Sequence, residues 1–181
     1  DNIILTFDEP IIAGTGNIVL TPSSGSAITI DVTNTSLVSF SSNVCTINPS
    51  SNLDATGLTY TVTMASGVIK NSNGDLFNGI SGTAYQFNSK DTTAPILSNA
   101  SSIGTTTDST PTFTFTSSEA GIITSSLGFS TNNSAIAGGN SITFNTLSNN
   151  TYSSQWVKVT DAAGNTSNQL TIPTFIVAVN P

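Results

Sequence analysis

Cationic side chains are almost missing from this chain. Histidine and arginine do not occur, and Lys70, Lys90 and Lys158 face 10 carboxylates, a formal net charge of −7 over 181 residues. A surface this acidic repels phosphate backbones, which argues against nucleic-acid binding and in favour of cations. With no histidine and a lone Cys45, imidazole metal sites and the common nucleophile–base pairs cannot be assembled. The single cysteine also excludes an internal disulfide. It alternates with Ile47 in an extended pattern and reads as a buried, inert thiol. Asp8 and Glu9 are adjacent on an extended segment and point to opposite faces, so they do not make a glycosidase pair. The expectation is a protein that is not an enzyme.

No apolar run is long enough to span a membrane, and Asp1-Asn2-Ile3 does not resemble a signal peptide. Any export signal or anchor is expected outside these residues. A disulfide-free, lysine-poor composition fits a secreted or surface-exposed bacterial protein.

Charged residues make up 7% of the chain, where about a quarter is usual. Serine, threonine and asparagine take their place and suit strands with one wet face. Strands are expected at residues 3–7, 17–20, 27–32, 37–40, 44–48, 59–64 and 84–88 in the first half. In the second half they are expected at 96–99, 112–116, 122–125, 141–145, 154–160 and 170–179. Phe113 and Phe115 alternate with Thr112, Thr114 and Thr116, the pattern of one buried face. Short strands at regular spacing, with glycine and proline between them, predict β-sandwiches.

Asp91-Thr92-Thr93-Ala94-Pro95 reads as a short joint, because Pro95 restricts Ala94 to extended conformations. It divides the chain into domains at 1–90 and 91–181. The halves repeat each other: Thr6-Phe7 leads into Asp8-Glu9, and Thr114-Phe115 leads into Glu119. Tyr60 and Tyr152 occupy matched places, as tyrosine corners that staple a connection to a sandwich. Two loops share one pattern, Asn71-Ser72-Asn73-Gly74-Asp75 and Asp161-Ala162-Ala163-Gly164-Asn165. Each has an Asx at both ends and a glycine at the fourth place, where a bend requires positive φ. One fold used twice explains these matches.

On these residues the chain resembles the bacterial immunoglobulin-like repeats of surface-layer proteins and large adhesins. In the first half, residues 2–9, Asn48-Pro49-Ser50, 53–62 and 71–79 carry the likeness. In the second, residues 91–95, 112–121, 140–145, Thr151-Tyr152 and 159–165 do. The resemblance implies an all-β protein of two tandem immunoglobulin-like β-sandwich domains. It also implies an extracellular place, at the bacterial cell surface or secreted, and partners among neighbouring repeats of the same polypeptide. Many relatives of the second domain carry a cysteine pair near Phe129 and Gln155, which this chain lacks. The first domain is also expected to lack its opening strand, because Asp1 falls where the second strand begins. An open edge invites pairing. The plain reading places the opening strand upstream of Asp1, and the sharper one completes the sheet with a strand from another chain.

In a seven-stranded domain of that kind, the loops after even-numbered strands return to the end where the chain enters. This predicts that Glu119, Asp161 and Asn165 come back beside Asp91. Oxygen donors of this type suit Ca²⁺ rather than zinc. The candidate metal ligands are therefore Asp91, Glu119 and Asp161, with Asn165. The alternative is that Asp161 and Asn165 only cap a turn while Glu119 is solvated. Asp8, Glu9, Asn71, Asn73 and Asp75 form the matching end of the first domain.

Trp156 shares an outward face with Lys158, since Val157 and Val159 face in, which also removes Lys158 from a buried isopeptide crosslink. The indole is a candidate ligand platform for a sugar ring, or else covers a neighbouring strand. The function expected is a stalk or adhesion segment with a calcium-rigidified joint, meeting a host surface or polysaccharide. The alternative is an accessory carbohydrate-binding domain pair of a secreted enzyme, and a third reading is a passive spacer.

Overall fold

The computed structural model describes residues 2–179, so Asp1, on which the reading of a lost opening strand rests, lies outside it. The chain forms two compact units, Asp1–Asp91 and Thr92–Pro181. The described residues contain strands and turns and no helix, and none of them forms a helix long and apolar enough to cross a membrane.

The first unit holds β1 (Ile3–Thr6), β2 (Ile11–Ala13), β3 (Asn17–Pro22), β4 (Ile28–Asp31) and β5 (Val38–Ser41). It continues with β6 (Val44–Ile47), β7 (Thr59–Met64), β8 (Ile69–Asn71) and β9 (Gln86–Asn88). A sheet in the order β1-β6-β5 and another in the order β4-β3-β7-β9 enclose the core, with β2 paired to β8. Alternation decides which side chains go inward. Along β7, Tyr60, Val62 and Met64 are buried while Thr59, Thr61 and Thr63 stay partly wet. Ile18 and Leu20 of β3 meet Cys45 and Ile47 of β6 in the same apolar cluster.

The second unit holds β10 (Leu97–Ser98), β11 (Thr105–Thr106), β12 (Thr112–Ser117), β13 (Gly121–Ser125) and β14 (Ser134–Ala135). Then follow β15 (Gly138–Thr143), β16 (Asn150–Tyr152), β17 (Trp156–Thr160), β18 (Leu170–Thr171) and β19 (Phe175–Val177). Its sheets run β10-β12-β15, β14-β13-β17-β18 and β11-β19-β16. Phe113 pairs with Ile142 across β12 and β15, both fully buried, and the threonines of β12 face outward. Phe144 stacks on Phe175, and Phe175 on Tyr152. Phe129 packs against this core, and Gln155 Oε1 accepts from Ser126 Oγ at 2.7 Å.

Residues 170–179 do not form one strand. Pro173, which has no amide hydrogen to donate, separates β18 beside β17 from β19 beside β16 and β11. Both tyrosine corners are present. The Tyr60 hydroxyl accepts from the Asp54 amide at 3.1 Å, and the Tyr152 hydroxyl donates to the Ser148 carbonyl at 3.0 Å.

Burial pushes the Cys45 thiol up to about 11. The folded chain should therefore resist thiol reagents at mildly alkaline pH and label fully once denatured. Rapid labelling without denaturant would contradict the packing of β1, β6 and β5. Emptying the second core by Phe144→Ala should cost about 3–5 kcal/mol, read as a lower urea midpoint.

Candidate metal centre

Two turns of the same shape set up the acidic groups. In the first unit the Asn71 amide donates to the Asp75 carbonyl at 3.0 Å, and the Gly74 amide to the Asn71 carbonyl at 3.2 Å. In the second, the Asp161 amide donates to the Asn165 carbonyl at 3.0 Å, and the Gly164 amide to the Asp161 carbonyl at 3.3 Å. Gly74 and Gly164 take φ of +96° and +92°, which a Cβ would strain. The leading Asx then caps its own turn, as Oδ1 of Asn71 accepts from the Asp75 amide at 2.9 Å and Oδ1 of Asp161 from the Asn165 amide at 2.8 Å.

The last side-chain bond is the same in both turns, with donor and acceptor exchanged. Asn71 donates Nδ2 to Asp75 Oδ2 at 2.9 Å, whereas Asn165 donates Nδ2 to Asp161 Oδ2 at 2.9 Å. Asn71 has a second N–H, which it gives to Glu9 Oε2 at 3.0 Å. One buried amide thus bridges two carboxylates. Asp161 has no hydrogen to offer at that place.

Gly121 opens β13 hard against β17, where a Cβ would lie 2.4 Å from the Thr160 carbonyl oxygen. This close approach brings the loop after β12 to the end of β17. Ser117 fixes that loop by donating Oγ to the Glu119 carbonyl at 2.6 Å. Asp91 is bonded directly to the first residue of the second unit. One oxygen each of Asp91, Glu119 and Asp161 lie within 4.8 Å of one another.

Burial alone would raise the Asp161 carboxyl. Hydrogen bonds from the Asn165 side chain and from the amides of Asn165, Ala163 and Gly164 outweigh it and hold the group below its ordinary 3.8. A depressed folded value adds stability above the unfolded value, and that stability is lost as pH falls through the folded one. At neutral pH the group is anionic beside two further carboxylate side chains, an arrangement that favours a bound cation over mutual repulsion. The donors are hard oxygens with no thiolate or imidazole among them. The acidic triad can hold a metal.

The structure places Trp156 on the outward face of β17, partly buried, with Lys158 Nζ 5.3 Å from its ring centroid. The chain's own cation engages that indole. The bridging role of Asn71 escapes a reading of the sequence that treats Asn and Asp as equivalent turn formers. The signal available was the exchange itself, Asn-x-x-Gly-Asp against Asp-x-x-Gly-Asn.

Residues 1–116 match the family model described as bacterial Ig-like domain, and the chain belongs to that family. The match spans the first unit and extends into β12 of the second. No curated protein matches the chain. Domains of this family are generally non-catalytic structural modules that usually occur in surface or secreted proteins.

Asn71→Asp should remove the bridging amide and set three carboxylates against each other. We expect the first unit to lose about 1–3 kcal/mol in urea unfolding at neutral pH. The deficit should shrink as the carboxylates protonate at acid pH. Unchanged stability at neutral pH would contradict the bridge.

Proposed function

We propose that the chain is a non-catalytic repeat segment of a bacterial surface or secreted protein, a stalk or adhesion module that takes up Ca²⁺ at Asp91, Glu119 and Asp161. The observation that carries the reading is the convergence of those three carboxylates at the residue that enters the second unit. Membership of a family of structural modules supports the same role. Asn165 orients Asp161 by donating its Nδ2 to Asp161 Oδ2 at 2.9 Å. A cation there ties residue 91 to two loops of the second unit and stiffens the joint. Its partners on this reading are neighbouring repeats, with a host surface or polysaccharide at the tip of the assembly.

Extracellular calcium modules commonly bind at about 10⁻⁴–10⁻³ M. At tenfold saturation one site adds only about 1.4 kcal/mol to the folded state, enough to restrain a connection without dominating the stability of a domain. Millimolar Ca²⁺ should raise a thermal transition of the chain by roughly 5 °C, a rise that chelation reverses. Glu119→Gln should abolish most of that rise. A melting curve that ignores Ca²⁺, or a Glu119→Gln chain that responds as fully as the parent, would overturn the reading.

A further inference from the structure

In the second unit an early strand and a late one run side by side in the same direction. β11 pairs parallel with β19, Thr105 opposite Ile176 and Thr106 opposite Val177. The Ile176 amide donates to the Gly104 carbonyl at 3.0 Å, and the Ala178 amide to the Thr106 carbonyl at 2.8 Å. β16 holds the other edge of β19 in antiparallel register, from Asn150 opposite Val177 to Tyr152 opposite Phe175. Asn149 lengthens that edge, its Oδ1 accepting from the Val179 amide at 2.8 Å and its Nδ2 donating to the Val179 carbonyl at 3.0 Å.

Parallel pairing decides how a pull is felt. The first residues of both strands lie at one end of the pair. Tension carried along the polypeptide, whatever precedes and follows these residues, reaches β11 at that end and leaves β19 at the opposite one. The strands are then drawn lengthwise past each other, so the bonds between them resist together. An antiparallel pair pulled from its open end gives way one bond at a time.

The side chains oppose the same sliding. Phe175 and Val177 are each 1% exposed, while Ile176 between them is 40% exposed. A slip of one residue would reverse which of them face inward. Phe175 also stacks on Phe144 and on Tyr152, with centroids 6.0 and 5.0 Å away. β10 meets the tension before β11 does. It pairs with β12 through Leu97 and Ser98 alone, and Asn168 grips Leu97 by bonds of 2.8 and 3.1 Å.

We propose that the second unit is built to withstand tension, and that the parallel contact of β11 with β19, extended by Asn149, is its mechanical clamp. This extends the stalk reading above and requires no calcium. Forced unfolding follows the barrier to unfolding and not the equilibrium stability. The clamp therefore shows in rupture force and hardly at all in denaturant.

Single-molecule pulling of the full chain in chelator tests this. Ser102 and Thr107 are both exposed and flank β11. Ser102→Cys and Thr107→Cys provide handles before and after that strand, each used with a tag at the C-terminus, and buried Cys45 stays unlabelled in the folded chain. Pulling from 102 shears the pair and pulling from 107 peels it, so the rupture force should be about twofold higher from 102. Ala178→Pro removes the amide that donates to Thr106 and should lower the force from 102 by about a third, with the urea midpoint nearly unchanged. Asn149→Ala, an exposed side-chain change, should lower it in the same direction and decides the matter if the proline variant does not fold. Equal forces from the two handles would overturn the proposal, as would a force from 102 that neither substitution lowers. A third contrary result is an end-to-end rupture force that falls with Asn168→Ala and ignores Ala178→Pro and Asn149→Ala, because the barrier then lies at β10. Calcium enters none of these outcomes, so they stand or fall apart from the metal site.

Discussion

Everything at the acidic ends of this molecule depends on one hydrogen bond, from the last amide of a five-residue turn to the side-chain oxygen of its first residue. That bond fixes the side chain of Asn71 or Asp161 and aims its remaining polar atom in the same direction. In Asn71 the atom is a nitrogen with two hydrogens, and it joins Glu9 to Asp75. In Asp161 it is an oxygen that accepts from Asn165, and the nearest oxygens of Glu119 and Asp91 belong to further carboxylates. The backbone is the same in both turns and the donor pattern is exchanged. At the first end a neutral amide bridges two carboxylates, and at the second three carboxylates converge where a metal could be held.

The shortage of charge elsewhere gives this difference its weight. With three lysines in the chain, no arginine is at hand to compensate an acidic cluster. The sandwiches hold together by alternation instead, threonine and serine outward and isoleucine, valine and phenylalanine inward, closed by two tyrosine hydroxyls that pin the connections. Such strands leave edges that only pairing or a guarding residue protects. In the second unit β10 and Asn168 provide that protection.

Much of this was legible in the residues because the signals are local and periodic. Phe113 and Phe115 announced β12, Tyr60 and Tyr152 their corners, and the seven-stranded topology that the family resemblance implies put Glu119 and Asp161 beside Asp91. Other features were not legible. β2, β8, β11, β14 and β16 have two or three residues each, too few for alternation to register. Pro22 ends β3 opposite Tyr60, past the limit a proline usually sets, because a terminal position needs no inward amide. The bridging donor at Asn71 was hidden because turn chemistry accepts Asn and Asp alike, and only the distance to Glu9, 62 positions away in the chain, separates their roles.

The most direct measurement exchanges the two turns' polarity in place. Asp161→Asn together with Asn165→Asp writes the first unit's donor pattern into the second, and calorimetric Ca²⁺ titration reads the consequence. The account predicts that the doubly exchanged chain stays folded with undiminished stability in chelator, because Asn at 161 now bridges Glu119 as Asn71 bridges Glu9, and that the heat of Ca²⁺ binding disappears. Calcium binding that survives the exchange, or a chain that loses stability because of it, would contradict the claim that one amide does the work of a cation.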